Sequence, residues 1–259
     1  LLPSLSFIGE IPHITERNDI NIICKPNSRT PLAESIRMII ANLNFTLFNH
    51  KSKNNLILVT SSIKGEGKTV VSTNLASVLK SKYEKILLVG ADLRNPQLHK
   101  YFNIDKNNPG LTDYMFKSGA NWKDYILKKD NLDVLISGKI PPNPTEILSS
   151  NKFKQLLDQL KNEYDYVIID SAPCVLVSDT FEISKYVDNT IYVVRANFTK
   201  DDISDFINAA ANQGRLQGIN LILNGVGNSM SYGYKYAYQY GYKYGYNYGY
   251  GYGYSEDNE

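Results

Sequence analysis

The chain has 259 residues, 42% of them hydrophobic and 21% charged, and a formal net charge of +2. That is enough apolar material for one ordinary core, and too weak and scattered a positive charge for a nucleic-acid-binding surface, so nucleic acid is excluded as a partner. Two widely separated cysteines, Cys24 and Cys174, exclude a disulfide framework and a cysteine-ligated metal cluster and fit a reducing cytoplasm. No window approaches the length of apolar sequence that a membrane helix needs, and the opening Leu1 to Ile8 is too short and lacks the basic flank of a signal peptide. The first residue is Leu1 rather than Met, which reads as a piece of something longer.

Residues 1–28 hold Pro3, Pro12 and Pro26 and read as a lead-in segment. Between Pro31 and Phe48 the residues Ile36, Ile39, Ile40, Leu43 and Leu47 fall at helical spacing and predict a first helix. Six short apolar runs follow: Leu56 to Val59, Ile86 to Val89, Leu132 to Ile136, Val167 to Ile169, Ile191 to Val194 and Ile219 to Leu223. Runs that are apolar throughout are expected of parallel strands covered on both faces. The stretches 68–82, 145–163, 179–187 and 201–213 are long enough to be the crossover helices that parallel strands require. The fold class is therefore α/β, a doubly wound, mostly parallel sheet over residues 29–228, with ligands beyond the C-terminal ends of its strands.

Three strand ends carry the chemistry. The first runs Leu56-Ile57-Leu58-Val59-Thr60-Ser61-Ser62-Ile63-Lys64-Gly65-Glu66-Gly67-Lys68-Thr69, a strand, a glycine-containing loop and the start of a helix. Such a loop turns backbone N–H groups inward as an anion nest, and the helix N-terminus adds its dipole. Nucleotide phosphates are then expected against Ser62, Lys64, Gly65, Glu66, Gly67, Lys68, Thr69 and Val70. Lys68 reaches the β- and γ-phosphates and the Thr69 hydroxyl holds Mg²⁺. Ser62 stands where the strict pattern has its first glycine. The second strand end is Val167-Ile168-Ile169-Asp170-Ser171-Ala172-Pro173. Alone, Asp170 reads equally as a turn or N-cap residue; beside the Lys68 loop it reads as a magnesium ligand. The third is Ile86-Leu87-Leu88-Val89-Gly90-Ala91-Asp92-Leu93-Arg94-Asn95-Pro96, and it brings Asp92 to the same unit of ATP and Mg²⁺.

After about Asn228 the composition changes abruptly. Every second residue is tyrosine: Tyr232, Tyr234, Tyr236, Tyr238, Tyr240, Tyr242, Tyr244, Tyr246, Tyr248, Tyr250, Tyr252 and Tyr254, with glycine the commonest spacer. The glycines penalise ordering and no apolar core face is specified, so residues 229–259 read as a tail that ends in the acidic Glu256-Asp257-Asn258-Glu259.

Taken together, the Walker-type loop, the Asp-x-Arg-x-Pro element and the Asp-Ser-x-Pro strand end resemble the bacterial tyrosine kinases of polysaccharide biosynthesis, the Wzc/CapB-like kinases. The likeness continues in Gly110-Leu111-Thr112-Asp113-Tyr114, in Gly138-Lys139-Ile140-Pro141-Pro142-Asn143-Pro144-Thr145-Glu146 and in the tyrosine cluster, from about Ile8 to the end. The resemblance implies a P-loop NTPase fold of the MinD/ParA-like class and a protein-tyrosine autokinase. It implies transfer of the ATP γ-phosphate to the tail tyrosines in trans, which regulates assembly of the capsule or exopolysaccharide machinery. In its terms Lys68, Asp92 and Asp170 are catalytic, Thr69, Asp92 and Asp170 hold Mg²⁺, and Asn224 contacts the adenine. Glu34 and Arg37 make the subunit contacts of a homo-oligomer such as a ring. The implied partners are a transmembrane polysaccharide co-polymerase segment, fused in the full-length protein, and a tyrosine phosphatase. The implied location is the inner face of the bacterial cell membrane.

The sequence departs from that pattern at three places. Gly90 stands where the first aspartate of Asp-x-Asp is usual, Ile40 replaces the second arginine of Glu-x-x-Arg-x-x-Arg, and Lys64 replaces a proline. An ATP-gated assembly switch of the MinD/ParA-like kind, which modifies no tyrosine, shares the fold and the phosphate site and stays open as the competing class. Its signature lysine would fall at Ile63, one residue from Lys64.

Overall fold

The structure, a computed structural model, describes residues 5–14, 23–25, 28–47 and 55–227. In chain order the elements are β1 (Ser6–Pro12), α1 (Pro31–Leu47), β2 (Asn55–Ser61), α2 (Lys68–Leu79), β3 (Ile86–Gly90), α3 (Leu98–Tyr101) and α4 (Leu111–Phe116). A 3₁₀ turn (Trp122–Tyr125) leads to β4 (Leu127–Lys129), β5 (Leu132–Leu135), α5 (Pro144–Leu148), α6 (Asn151–Glu163) and β6 (Tyr166–Asp170). Then come α7 (Asp179–Ser184), β7 (Asn189–Arg195), α8 (Ile203–Asn212) and β8 (Ile219–Val226). One eight-stranded sheet has the order β1-β8-β7-β2-β6-β3-β5-β4, parallel throughout except for β4, which runs antiparallel to β5. All six apolar runs are strands of it, and the fold is the doubly wound P-loop type.

Alternate residues of each central strand enter opposite cores, which is why the runs carry no polar face. Ile57, Val59, Leu88, Ile168, Ile191 and Val193 pack with α1 and α2, whereas Leu56, Leu58, Leu87, Val89, Val167 and Ile169 pack with Leu148, Phe153 and Leu157 of α5 and α6. Burying each such side chain contributes about 1.5–3 kcal/mol.

The stretch 145–163, expected as one helix, is two. Ser149 ends α5, and the Ser150 hydroxyl accepts a hydrogen bond from the Phe153 N–H at 3.2 Å, capping a new helix. The lead-in also differs from a mere linker, because residues 6–12 form an edge strand parallel to β8. Ile8 and Ile11 are buried against α1, and Gly9 permits the approach: a Cβ there would lie 2.7 Å from Ile39 Cγ1. Cys24 is strapped to α2, its N–H donating to Asn74 Oδ1 at 2.7 Å and its carbonyl accepting from the Ser77 hydroxyl at 2.6 Å. Among the described residues, no helix is long and apolar enough to cross a membrane.

Candidate functional site

β2 and α2 are joined by the loop Ser62–Gly67, and its shape is fixed from several sides. Gly65 and Gly67 adopt φ of 97° and 100°, a region that glycine enters without a Cβ penalty. The Gly65 carbonyl accepts from Arg195 Nη1 at 2.9 Å and the Glu66 carbonyl accepts from Asn224 Nδ2 at 2.8 Å. Because a trans peptide is planar with C=O and N–H opposed, these two bonds turn the N–H groups of Glu66 and Gly67 away from Arg195 and Asn224. Glu66 itself is fully buried, accepting from the Ile63 N–H at 2.8 Å and from the Thr199 hydroxyl. Its side chain therefore braces the loop. Ser62, at the place of the usual first glycine, accepts at 3.0 Å from the hydroxyl of Tyr192, which is buried in the sheet. Lys64 is exposed at the rim and Val70 is half-buried in the first turn of α2.

The three strand ends meet. Lys68 Nζ lies 3.1 Å from Asp92 Oδ2, and the Thr69 hydroxyl donates to Asp170 Oδ2 at 2.9 Å. The N–H groups of Ala91 and Asp92 both donate to the Asp170 carbonyl, at 2.7 and 3.1 Å, so the turn after β3 is sewn to the end of β6. Burial alone would lower the Lys68 pKa, but the charges of Asp170 and Asp92 outweigh it and raise the value, keeping the ammonium charged. Asp170 is pushed up to about 6, chiefly by burial, against the opposing effect of Lys68 and Thr69. Its Oδ1 is buried without a hydrogen-bond partner among the described residues. A carboxylate oxygen desolvated in this way is expensive unless a cation meets it. Magnesium held by Asp170 and Thr69 fits that orphaned oxygen.

Two supports were not legible in the sequence. Arg94 binds both carboxylate oxygens of the fully buried Asp179, at 2.7 and 3.0 Å, and Thr145 donates to the same carboxylate at 2.6 Å. This network ties the turn after Asp92 to α5 and α7. Arg195 and Thr199, which hold the phosphate loop, lie just past an apolar run, and the only signal for them is the switch to polar residues there. Gly90 faces a filled space: a Cβ at this position would meet Ser137 Oγ at 3.0 Å and Leu98 Cδ2 at 3.3 Å. Glu34 and Arg37 lie one turn apart on α1 and pair with each other, while Arg37 also donates to the Ser28 carbonyl. The twelve tail tyrosines lie outside the described residues.

A sequence profile for the AAA domain matches residues 54–212. The Bacillus subtilis protein named tyrosine-protein kinase YwqD is 32% identical over 206 residues, covering 79% of this chain and 86% of its own length. The chain belongs to the bacterial tyrosine kinases. The protein named tyrosine-protein kinase ptk of Acinetobacter johnsonii is 36% identical over 185 residues, 70% of this chain, yet the match spans only 25% of that larger protein. Among solved structures, the kinase domain of Escherichia coli tyrosine kinase ETK superposes with a TM-score of 0.76 at 28% identity, covering 86% of this chain and 91% of that one. Lys68, Thr69, Asp92 and Asp170 converge where the central strands β2, β6 and β3 end.

Proposed function

We propose that the chain is an ATP- and Mg²⁺-dependent tyrosine autokinase that phosphorylates the tail of a neighbouring copy. The observation that carries this reading is the cluster of Lys68, Thr69, Asp92 and the half-unpartnered Asp170, in a chain whose last residues supply twelve candidate acceptors. The β- and γ-phosphates of ATP rest against the N–H groups of the loop and the first turn of α2, where the helix dipole favours anions. Lys68 stabilises the charge that develops on the transferred group. Thr69 and Asp170 would hold Mg²⁺, with Asp92 beside them, and the ion would supply positive charge to offset that of the phosphates. A new bond forms between a tail phenol oxygen and the γ-phosphorus as the bond to the β-phosphate oxygen breaks and ADP leaves.

The phenol proton passes to Asp92. Its Oδ2 faces Lys68 and its Oδ1 accepts the Asn95 N–H at 2.9 Å. General-base help is worth about 10²–10⁴ in rate, and positioning with charge stabilisation supplies the rest. Asn224 contacts the adenine from its place beside Glu66. Glu34 and Arg37 face another copy in a homo-oligomer, and the setting is capsule or exopolysaccharide export at the inner face of the membrane. A transmembrane co-polymerase segment and a tyrosine phosphatase are the partners.

A second reading, an ATP-gated assembly switch without phosphoryl transfer, is favoured by one observation: at Gly90 Ser137 and Leu98 leave little room for an acceptor-activating carboxylate. Incubation with ATP and Mg²⁺ separates the two readings. The autokinase gains mass on tail tyrosines and Lys68→Met does not; nucleotide binding without any gain in mass contradicts it.

A further inference from the structure

A cleft of about 550 Å³ opens at the same C-terminal end of the strands as Asp92, between the segment that follows β3 and the one that follows β5. It begins at Asn95, whose N–H is bonded to Asp92 Oδ1, and its walls carry His99, Lys100, Lys106, Lys139 and Ile140. The three lysines are exposed, and among the described residues neither Lys106 nor Lys139 forms an ion pair. The His99 ring lies among these charges. Its pKa is lowered by burial first, then by the positive charges of Lys100 and Lys106, against the smaller opposing pull of Asp105. A cavity with this charge, beside the transfer site and unused by the phosphate loop, is built for an anionic segment.

The sequence contains such a segment. Between Asn228 and Ser255 there is no acidic residue, and Lys235 and Lys243 are positive; the carboxylates come together only in Glu256-Asp257-Asn258-Glu259, two residues after the last tyrosine, Tyr254. We propose that the acidic end of the tail, Glu256 to Glu259 of a neighbouring copy, docks in the cleft lined by Lys100, Lys106 and Lys139 and thereby sets which tyrosines lie at the phosphate site. This deepens the autokinase reading and rests on it. With an extended chain advancing about 3.3 Å per residue, an anchor at Glu256 keeps Tyr254 to Tyr248 within roughly 26 Å of the cleft. Those tyrosines receive phosphate before Tyr232 to Tyr238.

The test has a binding arm and a site-mapping arm. In the first, a fluorescent peptide of residues 248–259 is titrated into the full chain carrying Glu256→Lys and Asp257→Lys, which removes competition from its own tail. Binding is expected that raised salt weakens, that Lys106→Glu with Lys139→Glu reduces about tenfold, and that replacing the peptide's acidic residues with glutamine abolishes. Circular dichroism and nucleotide binding, unchanged in these surface variants, exclude misfolding. In the second arm, mass spectrometry of the wild-type chain finds early phosphate on Tyr248 to Tyr254, and the lysine variant loses that order. Absent binding, or equal binding to the lysine variant, overturns the docking proposal even if the tail is phosphorylated. Lysine-dependent binding in a chain whose tail never gains phosphate overturns the autokinase reading and leaves the docking site standing.

Discussion

At the residue scale, the clearest lesson concerns how buried charge is distributed around one phosphate site. Lys68 and Asp92 neutralise each other, Thr69 meets one oxygen of Asp170, and the second oxygen is left for a cation. Arg94 and Asp179 form a separate pair that shapes the turn after Asp92. Asp179 is fully buried whereas the Arg94 side chain is 43% exposed, so Arg94→Met leaves a buried carboxylate with Thr145 as its remaining side-chain partner, at a cost discounted for solvent. A loss of about 2 kcal/mol is expected. It reads out in thermal denaturation as a fall in Tm of roughly 4–8 °C, together with slower tail phosphorylation. Unchanged stability would mean that the pair does not hold the turn. A side chain at Gly90 fares no better: Gly90→Asp must displace Ser137 or Leu98, which costs about 1–3 kcal/mol of overpacking. A lower Tm without a gain in rate is predicted, and a faster enzyme of unchanged stability would refute that account.

At the element scale, legibility followed the kind of signal. The six apolar runs announced their strands because central parallel strands bury both faces, and the three chemical motifs were readable because each ends such a run. The break between α5 and α6 left a sequence signal in the polar run Ser149 to Lys152, which interrupts the apolar spacing and contains Ser150, the residue whose hydroxyl caps the second helix. Strand β4 was missed because three residues, Leu-Lys-Lys, carry no periodicity. Strand β1 was masked by Pro12 at its end and Pro3 just before it, although proline is tolerated on an edge strand where no ladder N–H is needed. Its membership has a consequence. Ile8→Ala, at a side chain 1% exposed, is expected to destabilise the domain by about 2–5 kcal/mol, measured by chemical denaturation. A change below about 0.5 kcal/mol, as for ordinary surface positions, would return the segment to the role of a linker.

At the scale of the whole molecule, the site is assembled from the ends of strands far apart in sequence, so ligand binding and fold stability are coupled. ATP with Mg²⁺ at about a hundred times its dissociation constant should stabilise the chain by about 2.7 kcal/mol, and chelating the magnesium should remove most of that gain. A melting temperature indifferent to both would contradict the assignment of Asp170 and Thr69 to the ion. Once phosphorylated, each tail tyrosine adds about −1.5 to −2 charges, so a few outweigh the net +2 of the chain and set clustered tails against one another. Phosphorylation is therefore expected to loosen the proposed homo-oligomer, an effect that light scattering at low and raised salt would follow.

The central claim is transfer between copies, and a mixing experiment addresses it most directly. A chain with Lys68→Met and an intact tail is combined with an active chain whose tail tyrosines are all phenylalanine, and ATP and Mg²⁺ are added. Phosphate on the tail of the Lys68→Met chain, detected by mass spectrometry, is the predicted result. No phosphate on that tail, while the active chain binds nucleotide, would contradict the account.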